Sequence, residues 1–245
     1  TIADRELETW LAVDLSASLD FGTATCLKRD LAIAAAAAVA HLSVSGGNRI
    51  GAVVGTGAAA PERASIRVGA TRQPGVTLLP ARSGRKEAQG LLRAIARTPS
   101  VPGRANLGLL IDCLNRPPRR RGLAAVISDF LASPQEWVRP LRKLAVRHDV
   151  LAIEILDPRE LELPDVGVLT VADPETGLVH EVHTGNRRLR QRYADAAAAQ
   201  RGAVAAGIRA AGAAHLRLRT DSDWLLDIVR FVASARHART RGTTR

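Results

Sequence analysis

Aromatic residues are scarce in this chain: 3% of 245 residues, with three Trp, three Phe and one Tyr. A core must therefore be built from Ala, Val, Leu and Ile, and an apolar content of 46% is enough to build one. No RNA-binding aromatic motif is present, which counts against a nucleic-acid partner. Lysine is nearly absent, at Lys28, Lys86 and Lys143, so the net charge of +11 is carried almost entirely by Arg. The two cysteines, Cys26 and Cys113, match no zinc-finger, metal or redox spacing. They read as free thiols buried in helices, in a reducing compartment, with a disulfide between them as the alternative. The most apolar stretch, Leu31 to Leu42, is too short to span a bilayer and lacks the flanks of a signal peptide. No Gly-x-Gly-x-x-Gly follows the first strand signal, and there is neither a Walker A sequence nor a Gly-x-Ser-x-Gly elbow. These absences set aside a dinucleotide fold, a P-loop NTPase and an elbow hydrolase.

What is present is an alternation of strand and helix signals, which predicts a mostly parallel sheet with helices on both faces. Continuous apolar runs place strands at Glu8 to Leu15, Arg49 to Gly55, Gly122 to Asp129, Asp149 to Leu156 and Ala214 to Arg219. Ala64 to Gly69 with Val76 to Pro80 reads as a third strand divided by a loop. Helical spacing covers Lys28 to Leu42, Gly84 to Thr98, Leu107 to Asn115, Ser133 to Arg147, Asn186 to Ala211 and Asp221 to Ala235. Val166 to Val171 and Leu178 to Val182 flank the turn signal Asp173 to Gly177 and predict a hairpin. With no linker between two cores, residues 1–237 read as one domain and the basic 238–245 as a disordered tail.

The first strand ends in Asp14, and Ser16 and Ser18 follow at spacing two. A carboxylate and two hydroxyls turned to one side at the carboxyl end of a strand suit a small hard cation such as Mg2+. Ligands of open α/β sheets bind outside those strand ends. The run resembles the metal-ion-dependent adhesion site (MIDAS) of von Willebrand factor A domains. Its flanks, Asp4 to Glu8 and Leu19 to Gly22, are similar to one bacterial branch of them, the DUF58 proteins.

That resemblance implies a von Willebrand A-like, three-layer α/β sandwich, and a non-enzymatic role in which a partner carboxylate completes the shell of a divalent ion. It implies that Asp129, ending a buried strand in Val126-Ile-Ser-Asp129, joins Asp14, Ser16 and Ser18. The family's middle loop resembles Gly-Gly-Thr-Asp-Leu, and the match here is Gly103-Arg-Ala-Asn-Leu107. Ala105 stands where the threonine hydroxyl belongs. Asn106 offers a substitute oxygen one residue out of register, and Arg104 offers a positive group that could meet a partner carboxylate without metal. The resemblance further implies a MoxR-type AAA+ ATPase, or its client, as protein partner. It implies a cytoplasmic location and a segment preceding Thr1.

Other constellations read as structural. Ser128, Asp112 and the solvated Asp20 carry no assigned role. The histidines, His180 and His183 among them, read as surface residues. Glu154, Asp157 and Glu160 could pair for acid–base work, and a salt bridge with Arg159 accounts for them more simply. A metal-dependent hydrolase on the same face lacks a general base. The Arg clusters at 119–121, 187–192 and 236–245 read as solvated faces able to steer an acidic partner.

Overall fold

The computed structural model describes residues 8–45, 47–57, 75–99, 101, 103, 105–116, 121–172 and 178–242. In chain order these form β1 (Glu8–Asp14), α1 (Lys28–Val44), β2 (Arg49–Gly55), β3 (Val76–Ser83), α2 (Arg85–Ala96) and α3 (Leu107–Leu114). They continue as β4 (Gly122–Ser128), α4 (Pro134–Ala145), β5 (Asp149–Leu156), β6 (Val168–Ala172), β7 (Val179–His183), α5 (Arg187–Ala210), β8 (Ala214–Arg219) and α6 (Trp224–Gly242). Six strands make one sheet in the order β3-β2-β1-β4-β5-β8. All neighbours are parallel except β3, which runs antiparallel to β2 at the edge.

Period-two alternation assigns the side chains of β1 to two cores. Leu11 and Val13 join Leu31, Ala35, Ile95 and Ile228 on the face covered by α1, α2 and α6. Trp10 and Ala12 join Leu110, Trp137 and Val204 on the face covered by α3, α4 and α5. The Ala-rich α1 presents small side chains to the sheet, with Ala32, Ala35, Ala36 and Ala40 all fully buried. Gly51 in β2 makes room for the Trp10 ring: a methyl there would stand 2.6 Å from it. Pro80 is tolerated because β3 is an edge strand. The architecture is von Willebrand A-like: a mostly parallel central sheet between two helical layers.

The structure departs from the sequence expectations in three places. β3 continues beyond Pro80 to Ser83 as it pairs with β2, while the expected Ala64–Gly69 piece lies outside the described residues. The expected hairpin is present as β6–β7, a separate two-stranded sheet, and its turn, 173–177, is likewise outside the described residues. The tail expected to be disordered from Ala238 is helical as far as Gly242. The backbone of α6 simply continues, since no Pro or Gly interrupts it before that point. Finally, both thiols are half-buried rather than buried, and Cys26 lies in a bend ahead of α1, not in a helix.

Candidate metal and partner site

The strand order reverses at β1, with β2 on one side and β4 on the other, which makes the β1/β4 boundary the switch point where such sheets bind ligands. The register pairs Val13 with Ile127. Asp14 therefore leaves β1 beside the point where Ser128 and Asp129 leave β4. Asp14 Oδ1 accepts the Ser16 backbone N–H at 3.0 Å, an Asx turn that swings the chain off the strand. Its Oδ2 accepts the Ser128 hydroxyl at 2.8 Å. Ser16 Oγ and Ser18 Oγ lie 3.2 Å apart, and the Ser18 hydroxyl also bonds Asp129. Asp14, Ser16, Ser18, Ser128 and Asp129 are all buried.

Asp129 is held from both sides. Its Oδ1 accepts the Leu131 N–H at 3.2 Å, and its Oδ2 accepts Lys28 Nζ at 2.9 Å. The next residue, Phe130, adopts a φ of 52°, a left-handed conformation costing an aromatic residue about 1–3 kcal/mol. Packing secures it: the ring is fully buried and meets Trp137 edge-on at 5.1 Å. Its N–H donates to Ser128 Oγ at 3.1 Å. Ser128, read as structural from sequence, thus both orients Asp14 and satisfies the strained turn.

Lys28, the first residue of α1, was not singled out by sequence reasoning. It is fully buried, and its ammonium bridges Asp129 and Glu160, the latter at 2.5 Å. A signal was available, because it is one of three lysines and heads an Ala-rich helix. The electrostatics follow from these contacts. Burial, and then the nearby Asp129 charge, push the Asp14 carboxyl up to about 6. Burial acts to raise Asp129 as well, but the Lys28 charge and three hydrogen bonds outweigh it and hold that carboxyl below the usual range. Lys28 loses proton affinity to burial and regains more from Asp129 and Glu160, so it stays charged. Burial raises Glu160.

The middle loop contributes less than the resemblance implied. Ala105 is buried and brings no hydroxyl. Asn106 Oδ1 accepts the Leu109 N–H at 2.8 Å and caps α3 from an exposed position, so its oxygen is engaged there. Arg104 lies outside the described residues. Asp20 meets Arg29 at 3.4 Å.

Each neighbouring carboxylate has its own partners, and the Arg159 contact to Asp157 is through its backbone N–H rather than the expected side-chain salt bridge. Glu154, fully buried, takes Arg201 at 3.0 Å, His215 at 2.8 Å and Arg217 at 3.1 Å. Asp157 accepts bonds from Thr23 N, Thr23 Oγ1, Thr220 Oγ1 and the Arg159 backbone N–H. It ties the loop after the D-x-S-x-S run to the ends of β5 and β8. His148 is buried rather than at the surface, whereas His180 and His183 are exposed on β7.

Among the described residues no cluster of three His, Cys, Asp or Glu side chains has metal-binding spacing. The donors at the switch point are instead two carboxylates and two hydroxyls, all hard oxygens of the kind Mg2+ accepts.

Residues 1–203 match the family described as protein of unknown function DUF58. The chain belongs to DUF58. Its relatives include the uncharacterized protein Rv1480 of Mycobacterium tuberculosis, 54% identical over 243 residues, which span 98% of this chain and 71% of that protein. Among solved structures, this DUF58 chain is similar to BatB from Bacteroides thetaiotaomicron, with a TM-score of 0.54 at 14% identity over 95% of this chain and 99% of that one. An aerotolerance-related membrane protein from Bacteroides fragilis gives a TM-score of 0.54 at 15% identity, over 91% and 96%. At these identities the likeness to the two structures is one of fold. Among the described residues, no helix of the DUF58 chain is long and apolar enough to cross a membrane.

Proposed function

We propose that this DUF58 domain binds a protein partner through a divalent cation, Mg2+ in the first instance, held by Asp14, Ser16, Ser18 and Asp129. The partner supplies a carboxylate as a further ligand. A von Willebrand A-like fold supports an interaction role of this kind, and no catalytic step is required of the site. The supporting observation is the convergence of two carboxylates and two hydroxyls, all buried, at the ends of adjacent strands. The ion would neutralise charge that burial has left exposed to repulsion; the side chains hold it, and the loops after β1 and β4 orient it. By family resemblance the partner is a MoxR-type AAA+ ATPase or its client, and the net charge of +11 favours an acidic surface.

Calorimetric titration with Mg2+ and Mn2+ tests the cation directly. Saturable binding to the wild type is expected, weakened about tenfold or more by Asp14→Ala, a loss of roughly 1.4 kcal/mol. Partner capture should disappear in EDTA. A second reading, metal-independent docking through Arg104 and the basic loops, gains support from the missing hydroxyl at Ala105 and from Lys28, which already meets one carboxylate. Absence of any heat with either ion, together with partner capture unchanged by EDTA, selects that second reading.

A further inference from the structure

Lys28 is unusual in two respects. The side chain is fully buried, which is costly for an ammonium unless it is paired. Its two partners lie on separate elements: Asp129 follows β4, and Glu160 ends the turn after β5. One of those partners is also a candidate metal ligand.

The charges around the switch point can be assigned group by group. Asp14, Asp129 and Glu160 are three carboxylates, and Lys28 is the one ammonium in direct contact with them. Arg201 also approaches, donating to the Asp129 carbonyl at 2.9 Å, but its charge is matched by the buried Glu154. Arg29 is directed to Asp20. Among the described residues, when every group is ionised, three carboxylates against one ammonium leave a residual charge of −2. One divalent ion would cancel it.

We propose that Lys28 is a permanent internal cation that sets the charge of this site to that of a divalent ion and so discriminates against ions of higher charge. The inference rests on the cation reading above and adds a selectivity determinant to it. Coulomb attraction scales with the product of the charges, so removing one positive charge from contact with a ligand carboxylate favours a trivalent ion more than a divalent one. Lys28 acts through Asp129 and does not touch the ion.

The experiment compares Mn2+ and Tb3+ affinities, by calorimetry and by terbium luminescence, in the wild type and in Lys28→Met, a neutral side chain of similar length. The ratio of Tb3+ to Mn2+ affinity should rise about tenfold or more in Lys28→Met. A purely structural defect would weaken both ions alike and leave the ratio where it was. Glu160→Gln, at the partly exposed end of the cluster, should move the ratio the other way, and it decides the matter if Lys28→Met does not fold. A ratio unchanged in the folded variants, with the wild type still binding Mn2+, overturns the role of Lys28 and leaves the cation site standing. Binding of neither ion by any of the proteins overturns the cation reading and this inference together. Binding by Lys28→Met alone overturns both for the wild type, with the Lys28 ammonium itself filling the place of the cation.

Discussion

Asp14 and Asp129 leave adjacent strands, yet their carboxyl groups are shifted in opposite directions. The difference is one neighbour: Asp129 has the Lys28 ammonium, whereas Asp14 has a serine hydroxyl and a backbone N–H. Ser128→Ala removes the hydroxyl that bonds both Asp14 Oδ2 and the Phe130 N–H. It should cost about 1–3 kcal/mol in urea unfolding, because both groups are left buried without that bond. Asp157 is the counter-example outside the site. Burial acts to raise its carboxyl, but the bonds from Thr23, Arg159 and Thr220 hold it below the usual 3.8. A depressed carboxyl stabilises the fold above its unfolded pKa, and that contribution is lost as pH falls through the folded value. Asp157→Asn should therefore cost roughly 2–4 kcal/mol near neutral pH, with the gap to wild type narrowing below about pH 4. Unfolding curves of both proteins from neutral to acid pH check this, and a gap constant across the range would refute the assignment.

Strands and helices were mostly legible because each must hide an apolar face. β1, β2, β4 and β5 are covered on both sides, so they appear as unbroken apolar runs, and their bounds differ from the expectation by a residue at most. β3 was less legible because it is an edge strand, half-buried to exposed along its length, and only its pairing with β2 carries it past Pro80. Close approaches between elements are another feature invisible in one dimension. Gly108 in α3 faces α4 so tightly that a methyl would fall 2.3 Å from the Glu136 carbonyl oxygen. Gly108→Ala must push the two helices apart, and with α3 moves the Asn106 cap at the end of the middle loop. A loss of about 1–3 kcal/mol is expected from the forced displacement, measured by chemical denaturation. Stability equal to wild type would mean that α3 and α4 do not meet as described.

Across the chain as a unit, the candidate site is assembled from segments far apart in sequence. Asp14 and Ser128 are 114 residues apart, Lys28 and Asp129 are 101, and Lys28 and Glu160 are 132. Parallel pairing of β1 with β4 brings them together. The net charge of +11 acts over the same range. Like charges at this density repel one another in the compact state, and added salt screens them. The melting temperature should rise by a few degrees between about 0.02 M and about 0.3 M NaCl, followed by circular dichroism. A falling melting temperature would show that attractive ion pairs, such as those around Glu154, dominate the balance.

Composition and periodicity were sufficient for the α/β class, the order of most elements, and the carboxylate and hydroxyls of Asp14, Ser16 and Ser18. Those features are local: burial on two faces requires apolar runs, and a D-x-S-x-S run lies within one turn of chain. The roles of Lys28 and Ser128, the engagement of Asn106 in a cap, and the contrast between Asp14 and Asp129 emerged only on folding. Each depends on which groups become neighbours once water is excluded. Sequence separation carries no information about that, whereas the electrostatics of a buried charge depend on little else.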